Sequence, residues 1–218
     1  MLRRFFTLIA AITTVPSIGI AGPVSGIVRT VTRSGLAPAT AVVFAEPLDA
    51  AAPHATTQLT LVQKNKAFQP HILAVSIGST VSFPNEDAIF HNVFSMSAPQ
   101  PFDLGLYRSG ETRTRTFSSA GTYRVFCNIH PQMSALVVVV STPHITTAGA
   151  DGRFTLTLPP GRYRVTALSE RAGPVSVEVT SAAGAVTAPD LTLDESAWNI
   201  VQHKNKFGQE YPAAAYTK

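Results

Sequence analysis

Cysteine is nearly absent from this sequence: Cys127 is the only one among 218 residues. Exported proteins usually carry cysteines in pairs, and a single cysteine excludes any disulfide within the chain. The residue is therefore either an inert buried thiol, as free cysteines often are, or a residue kept for its chemistry. Its neighbours along the chain decide between these two interpretations.

Charged side chains are also scarce. They make up 14% of the chain, whereas hydrophobic residues make up 45%, and this balance excludes an intrinsically disordered protein. Arg3 and Arg4 supply half of the formal net charge of +4, and the sequence has no basic run with interleaved aromatic residues. We therefore expect no nucleic-acid partner. The motifs of serine hydrolases, zinc proteases and phosphate-binding loops are missing too, so we expect that the protein is not an enzyme.

Long apolar runs are missing after the N-terminus. Phe5–Ile20 is largely apolar, but threonine, proline and serine interrupt it, and a membrane span needs about 20 apolar residues. A basic start, Leu2–Arg4, and small residues just before the cleavage point, Gly19 and Ala21, are typical of a secretion signal. We predict that residues 1–21 are a signal peptide cut near Ala21, which leaves a periplasmic chain without a membrane span. An uncut anchor is the alternative, and the paired arginines leave Sec and twin-arginine export open.

The periodicity of the remaining chain predicts strands throughout and no amphipathic helix. Phe154–Leu158 and Val175–Val179 alternate between apolar and polar residues, as half-buried strands do. Ala41–Phe44 and Val137–Val140 are continuously apolar, which indicates strands buried on both faces. Turn signals such as Asp151-Gly152 recur at short intervals between them. The fold class we expect is all-β, built from sandwiches.

A cluster of soft metal ligands surrounds the single cysteine. Cys127, His130 and Met133 lie within seven residues, and His91 is available 36 residues upstream. A thiolate with imidazoles suits copper, and two histidines, one cysteine and a weak axial methionine form the blue-copper arrangement. Zinc is the rival metal, but zinc sites rarely include methionine. We therefore predict a single type-1 copper ion held by His91, Cys127, His130 and Met133.

The predicted strands support this pairing of distant residues. Gly121–Phe126 indicates a strand that enters Cys127, and Ala135–Val140 indicates the strand that leaves the loop. Three ligands would then share one loop, and His91 would project from the end of a neighbouring strand. The competing interpretations are a surface histidine at position 130 and a core methionine at position 133.

Residues next to the ligands have predicted supporting roles. The Asn92 side chain could tie the two ligand segments together, and Asn128 and Ile129 lie on the ligand loop itself. We interpret the acidic pair Glu86 and Asp87 as solvated. The other histidines are interpreted as surface or structural residues, namely His54, His71, His144 and His203.

The ligand region resembles the plastocyanin and amicyanin group of cupredoxins over about residues 63–141. The resemblance rests on two groups of motifs, Phe83-Pro84-Asn85 with His91-Asn92-Val93-Phe94, and Gly121-Thr122-Tyr123 with Cys127-Asn128-Ile129-His130 and Met133. It implies a Greek-key β-sandwich that carries single electrons between exported partners, such as a c-type cytochrome or a dehydrogenase. A copper-handling protein without electron transfer is the alternative. The family often has proline where this chain has Ile129, whose N–H could therefore point at the Cys127 sulfur.

A second resemblance flanks the first in two pieces. Val24–Pro47, together with Asp151–Phe154 and Leu158–Tyr163, is similar to the carboxypeptidase-regulatory-like, or transthyretin-like, β-sandwich. The whole chain also resembles exported methylamine-utilisation proteins. We therefore expect a signal peptide, a discontinuous sandwich, an inserted or joined copper domain and a C-terminal tail. Their predicted bounds are 1–21 for the signal, 22–62 plus 142–195 for the discontinuous sandwich, 63–141 for the copper domain and 196–218 for the tail.

Overall fold

The stretches with alternating or continuous apolar residues form strands in the computed structural model, which describes residues 21–53, 55–199 and 203–211. Every regular element in these ranges is a β-strand, and the all-β prediction is confirmed. The part of the chain described holds no helix that is long and apolar enough to cross a membrane. The predicted signal peptide, apart from Ala21, lies outside the described residues. The strands are β1 Gly22–Thr32, β2 Gly35–Pro38, β3 Val42–Pro47, β4 Gln58–Thr60, β5 Val62–Lys64, β6 Ala67–Gln69, β7 Ile72–Ser76, β8 Thr80–Pro84, β9 His91–Ser95, β10 Phe102–Tyr107, β11 Thr112–Thr116, β12 Gly121–Phe126, β13 Ser134–Val140, β14 Ile145–Thr147, β15 Arg153–Leu158, β16 Gly161–Leu168, β17 Val175–Ser181, β18 Val186–Thr187 and β19 Leu191–Asp194.

Strands from the two ends of the chain pair with each other. The long strand β1 lies antiparallel to β15 and to β2, and parallel to β18 and β19. A second sheet has the order β14-β3-β16-β17. Apolar side chains from both sheets, such as Val28, Val43, Leu156 and Val165, form one core. The alternation predicted for β15 is confirmed, because its exposed and buried residues alternate along the whole strand.

The middle of the chain forms a second sandwich with its own core. One sheet has the order β10-β9-β12-β13-β7, and the other has the order β11-β8-β4, with a β5–β6 hairpin beside them. The core is rich in aromatic residues, including Phe83, Phe117 and Tyr123, and the rings of Phe117 and Tyr123 make an edge contact with centroids 5.0 Å apart. Cys127 and Met133 belong to this core.

Strand β13 has an unbroken apolar sequence because both of its faces are buried. Ala135, Val137 and Val139 face the aromatic core of the middle sandwich. Leu136, Val138 and Val140 face the other way and pack with Val42 and Phe44 of β3 in a separate cluster. Side chains alternate between faces along a strand, so a strand with two apolar contacts must be apolar at every position. The buried strands predicted around residues 42 and 138 are confirmed.

Polar contacts also cross the junction between the sandwiches. Thr142 Oγ1 donates to the carbonyl oxygen of Ala45 at 2.7 Å, and Ser141 Oγ donates to Glu46 at 2.8 Å. On another side of the junction, His71 Nε2 donates to the Glu170 carboxylate, which also lies 3.6 Å from Arg124. The contacts of Ser141 and Thr142 hold the end of β13 against β3 and thereby help to fix the orientation of the strand that follows the ligand loop.

The His71–Glu170 pair predicts a pH dependence of stability. The hydrogen bond that His71 donates to Glu170 raises the pKa of His71 above its ordinary value of 6.5, although burial lowers it. The same bond lowers the pKa of Glu170 below 4.5. The stabilisation is therefore complete between about pH 4.5 and 6.5, and it is lost as the pH rises through the raised pKa of His71 or falls through the lowered pKa of Glu170.

His71→Gln should lower the free energy of unfolding more at about pH 5.5 than at about pH 9. The losses of unfolding free energy at these two pH values should differ by less than about 1 kcal/mol, because the imidazole is half exposed. Denaturant titration of both proteins at the two pH values measures it. An equal loss at both values would show that the ion pair contributes nothing.

Candidate metal centre

The ligand loop is a tight connection between two neighbouring strands. Strand β12 ends at Phe126, Cys127 follows it, and β13 begins at Ser134. The N–H of Met133 donates to the carbonyl oxygen of His130 at 2.9 Å. The N–H of Cys127 donates to the carbonyl oxygen of Met133 at 3.3 Å. These backbone bonds close the loop, so its side chains are held by the two strands. His91 is the first residue of β9, which pairs with β12 in the same sheet.

Three side-chain atoms converge on one point at this end of the sheet. Cys127 Sγ lies 3.7 Å from Nδ1 of His91 and 3.7 Å from Nδ1 of His130, and the two nitrogens are 3.1 Å apart. One point in the plane of these atoms is about 2.0 Å from all three, a normal metal–nitrogen bond length. The three donors therefore form a trigonal set of the size that a metal ion requires.

The tautomer of His91 makes the convergence of these three donor atoms unfavourable without a cation. Its Nε2 donates to Asp87 Oδ2 at 2.7 Å, which assigns the ring proton to that nitrogen and leaves Nδ1 as a bare acceptor. That lone pair faces a sulfur and a second imidazole nitrogen inside the protein, where His91 and Cys127 are fully buried. A soft thiolate with two imidazole donors in a trigonal set fits copper. Met133 is fully buried in the same core.

Backbone N–H groups surround the Cys127 sulfur. Burial raises the pKa of the Cys127 thiol, whereas the N–H groups of Asn92, Ile129 and His130 lower it. The N–H of Asn92 is 3.5 Å from Sγ. Ile129 contributes an N–H to this set, where a proline would have none.

Asp87 was interpreted from the sequence as solvated, and this interpretation is wrong. Its carboxylate accepts a hydrogen bond from Nε2–H of His91, and it also accepts hydrogen bonds from the N–H groups of Asn65 and Lys66, at 2.6 and 2.9 Å. Asn65 and Lys66 both have φ near +55°, so this two-residue hairpin turn presents consecutive N–H groups to the anion. Burial raises the pKa of Asp87, but these donors outweigh it and hold the pKa below its ordinary value. Glu86 is exposed and pairs with Lys64.

Asn92 joins the two ligand segments. Its Oδ1 accepts the N–H of Asn128 at 3.3 Å, and its Nδ2 donates to Asp103 Oδ1 at 2.7 Å and to the carbonyl oxygen of Gly105 at 2.9 Å. The residue after His91 is thereby bound to the residue after Cys127. Side chains that hold ligands in this way fix their geometry before a metal arrives.

His203 has a structural role beside the ligand loop. His203 was interpreted as a surface or structural residue, and it stacks on Phe126 with ring centroids 3.8 Å apart. Its Nε2 donates to the carbonyl oxygen of Pro131 at 2.8 Å. Pro131 is buried, whereas Ile129 is 46% exposed beside the half-buried His130. His54 lies outside the described residues.

Known proteins match this chain around the site. Residues 55–140 match the family model for copper binding proteins of the plastocyanin/azurin family. Amicyanin-alpha of Methylorubrum extorquens is 33% identical over 106 residues, which cover 46% of this chain and 87% of that protein.

Solved structures match the same region. A copper-containing nitrite reductase from Thermus scotoductus SA-01 is 27% identical with a TM-score of 0.37; the match covers 44% of this chain, which spans only 25% of the reductase. A Cu(I) form of an amicyanin variant is 25% identical with a TM-score of 0.37, and the match covers 44% of this chain and 99% of the other.

Asp87→Ala should lower the affinity for copper about 10- to 100-fold, the usual cost of losing a carboxylate that orients a ligating histidine. The ring of His91 would then be free to turn and to move its proton. Competition with a chelator of known affinity measures the change. Glu86→Ala is the matched control, because its carboxylate contacts only Lys64 among the described residues. Equal affinities for the two variants would contradict the role of Asp87.

Proposed function

Because this chain belongs to the plastocyanin/azurin family of copper binding proteins, we propose that it is a blue copper protein that carries single electrons between exported redox partners. The observation that carries the proposal is the trigonal convergence of Cys127 Sγ with the Nδ1 atoms of His91 and His130. Met133 is the proposed axial ligand, since it ends the ligand loop and is buried in the same core. Bound copper supplies reversible one-electron chemistry between its 2+ and 1+ states.

The protein holds its ligands rigidly, which is what a fast electron carrier needs. Asp87 orients His91, the Asn92 N–H contacts the sulfur, and the Met133 N–H closes the turn on His130. These contacts come from the protein itself, so the ligand atoms need little movement when the charge of the centre changes. A storage protein has no need of such fixed geometry, and this favours electron transfer over copper handling.

The route for electrons runs through the half-buried edge of His130. Three exposed apolar side chains flank the ligands: Phe90 precedes His91, Ile129 precedes His130, and Leu106 pairs with Asn92. We name Phe90, Leu106 and Ile129 the apolar rim. An apolar surface next to the metal suits a small, short-lived contact with a redox partner, and we propose an exported c-type cytochrome or a dehydrogenase. The protein acts in this proposal as a carrier and not as a catalyst.

We also propose the domain organisation and location that the sequence suggested. The copper domain, predicted as residues 63–141, is inserted into a regulatory-like sandwich predicted as 22–62 and 142–195. The proposed start of the copper domain moves to Gln58 or earlier, because β4 pairs with β8 and Leu61 lies in the core of the middle sandwich. The pairing of β1 with β15, β18 and β19 supports this arrangement, because it closes the outer sandwich with strands from both sides of the insertion. Residues 1–21 are proposed as the export signal for the periplasm.

Copper(II) loading of the wild type should give one copper per chain and an intense thiolate-to-copper absorption band in the visible range. Cys127→Ala should abolish the band, because the thiolate is its source, and His91→Ala should weaken or lose it. His144→Ala is the control, since this histidine contacts Tyr163 in the outer sandwich. Visible spectra at fixed copper stoichiometry decide the matter. A wild type that binds copper without the band contradicts the proposal.

Leu106→Glu should slow electron transfer to an exported c-type cytochrome about tenfold, because a buried charge opposes docking at the apolar rim. The visible spectrum should not change, since Leu106 is not a ligand and its side chain is 56% exposed. Leu36→Glu is the matched control, because Leu36 is 60% exposed on β2 of the other sandwich. Stopped-flow rates compare the three proteins. Equal rates for the two variants would exclude the apolar rim as the docking surface.

A further inference from the structure

The C-terminal segment of residues 203–211 lies on the ligand loop. His203 stacks on Phe126 and donates to the carbonyl oxygen of Pro131, and the Tyr211 hydroxyl donates to the carbonyl oxygen of Cys127 at 3.3 Å. The backbone N–H of Lys206 donates to Asn128 Oδ1 at 3.0 Å. The segment lies outside the region matched by the copper-protein family, residues 55–140. It therefore adds contacts to the metal centre that the matched region alone does not supply.

One residue of this segment closes a ring of hydrogen bonds that includes Asn92, whose N–H contacts the sulfur. Lys206 Nζ donates to Asp103 Oδ2 at 2.6 Å, and Asp103 Oδ1 accepts Nδ2 of Asn92 at 2.7 Å. Asn92 Oδ1 accepts the N–H of Asn128, whose own Oδ1 accepts the N–H of Lys206. The ring thus runs from Lys206 through Asp103, Asn92 and Asn128 back to Lys206. Asn92 is also the residue whose N–H points at Cys127 Sγ.

We infer that Lys206 is a positioning residue of the copper centre, and that its ammonium group raises the reduction potential by neutralising Asp103 beside the Asn92–sulfur contact. This inference rests on the proposed copper function. Lys206 acts through Asp103 and Asn92 and touches no ligand atom in the ring described. Its backbone anchors the segment to Asn128, whereas its side chain supplies the charge.

The direction of the effect follows from the charges. Burial opposes the ionisation of Asp103, but donors from Lys206, Gly105 and Asn92 hold its pKa below the ordinary value, so the carboxylate is charged at neutral pH. Reduction adds one electron to the centre and no proton, so the reduced form is more negative by one charge. An Asp103 carboxylate without its ammonium partner disfavours that form. The side chains of Lys206 and Asp103 are 26% and 38% exposed, so solvent screens the effect only in part.

Four variants separate charge from structure. Lys206→Met keeps the backbone N–H and removes the charge; Lys206→Arg keeps the charge; Asp103→Asn removes the opposing charge; and the Lys206→Met, Asp103→Asn double variant removes both. Lys204→Met is the matched control, because Lys204 is in the same segment and pairs only loosely with Glu210, at 3.7 Å. Voltammetry of each copper-loaded protein gives the potential, and the visible band shows that the centre is intact.

Lys206→Met should shift the one-electron equilibrium about fivefold toward the oxidised form, or about 40 mV at about 59 mV per tenfold change. Lys206→Arg should restore the wild-type potential, Asp103→Asn should raise it, and the double variant should lie close to wild type. A merely structural role of Lys206 would not shift the reduction potential in opposite directions in Lys206→Met and Asp103→Asn. Equal potentials for Lys206→Met and Lys204→Met, with the band present, would overturn the inference. A wild type without the band would instead contradict the proposed function.

The metal-free protein gives an independent test of the ring. Hydrogen exchange at the Lys206 amide should be slow in the wild type and in Lys206→Met, because the acceptor Asn128 Oδ1 is intact. Asn128→Ala should make this amide exchange faster while amides of β17 stay unchanged. Fast exchange at Lys206 in the wild type would show that the segment does not bind the loop, and the inference would be wrong.

Discussion

The centre of this protein depends on an unfavourable contact: a sulfur and two imidazole nitrogens meet at 3.1 to 3.7 Å inside the fold. Donor lone pairs at such distances repel one another, and burial removes the water that could separate them. The surrounding structure compensates for this repulsion. Asp87 accepts a hydrogen bond from Nε2–H of His91, the Asn92 N–H approaches the sulfur, and the loop closes on its own backbone. A cation at the common point turns the repulsion into three attractive contacts.

The two sandwiches serve this geometry through one shared strand. Strand β13 leaves the ligand loop, and its two faces belong to two different apolar clusters. The loop is therefore attached to a strand that cannot rotate without exposing valines on one side or the other. On the opposite side of the loop, the segment of residues 203–211 binds the carbonyl groups of Cys127 and Pro131. The ligand loop is thus held by the packing of β13 and by hydrogen bonds from residues 203–211.

Sequence patterns predicted the parts of this structure that depend on local order. Cys127, His130 and Met133 are close in sequence, and the alternation of residues 154–158 identifies a half-buried strand without any tertiary information. Asp87 was missed because its N–H donors are on a hairpin turn more than twenty residues upstream, and only the fold brings them together. His203 and Lys206 were missed for the same reason, since each contacts the ligand loop across more than 70 residues. No periodicity in the sequence reports such contacts.

The central claim is that one copper ion is bound by one sulfur and two nitrogens at the point where these atoms converge. X-ray absorption at the copper edge of the loaded wild type measures the ligand atoms and their distances directly. The account predicts one close sulfur together with two imidazole nitrogens at about 2.0 Å. A spectrum with nitrogen and oxygen neighbours alone, or with several equivalent sulfurs, would contradict it.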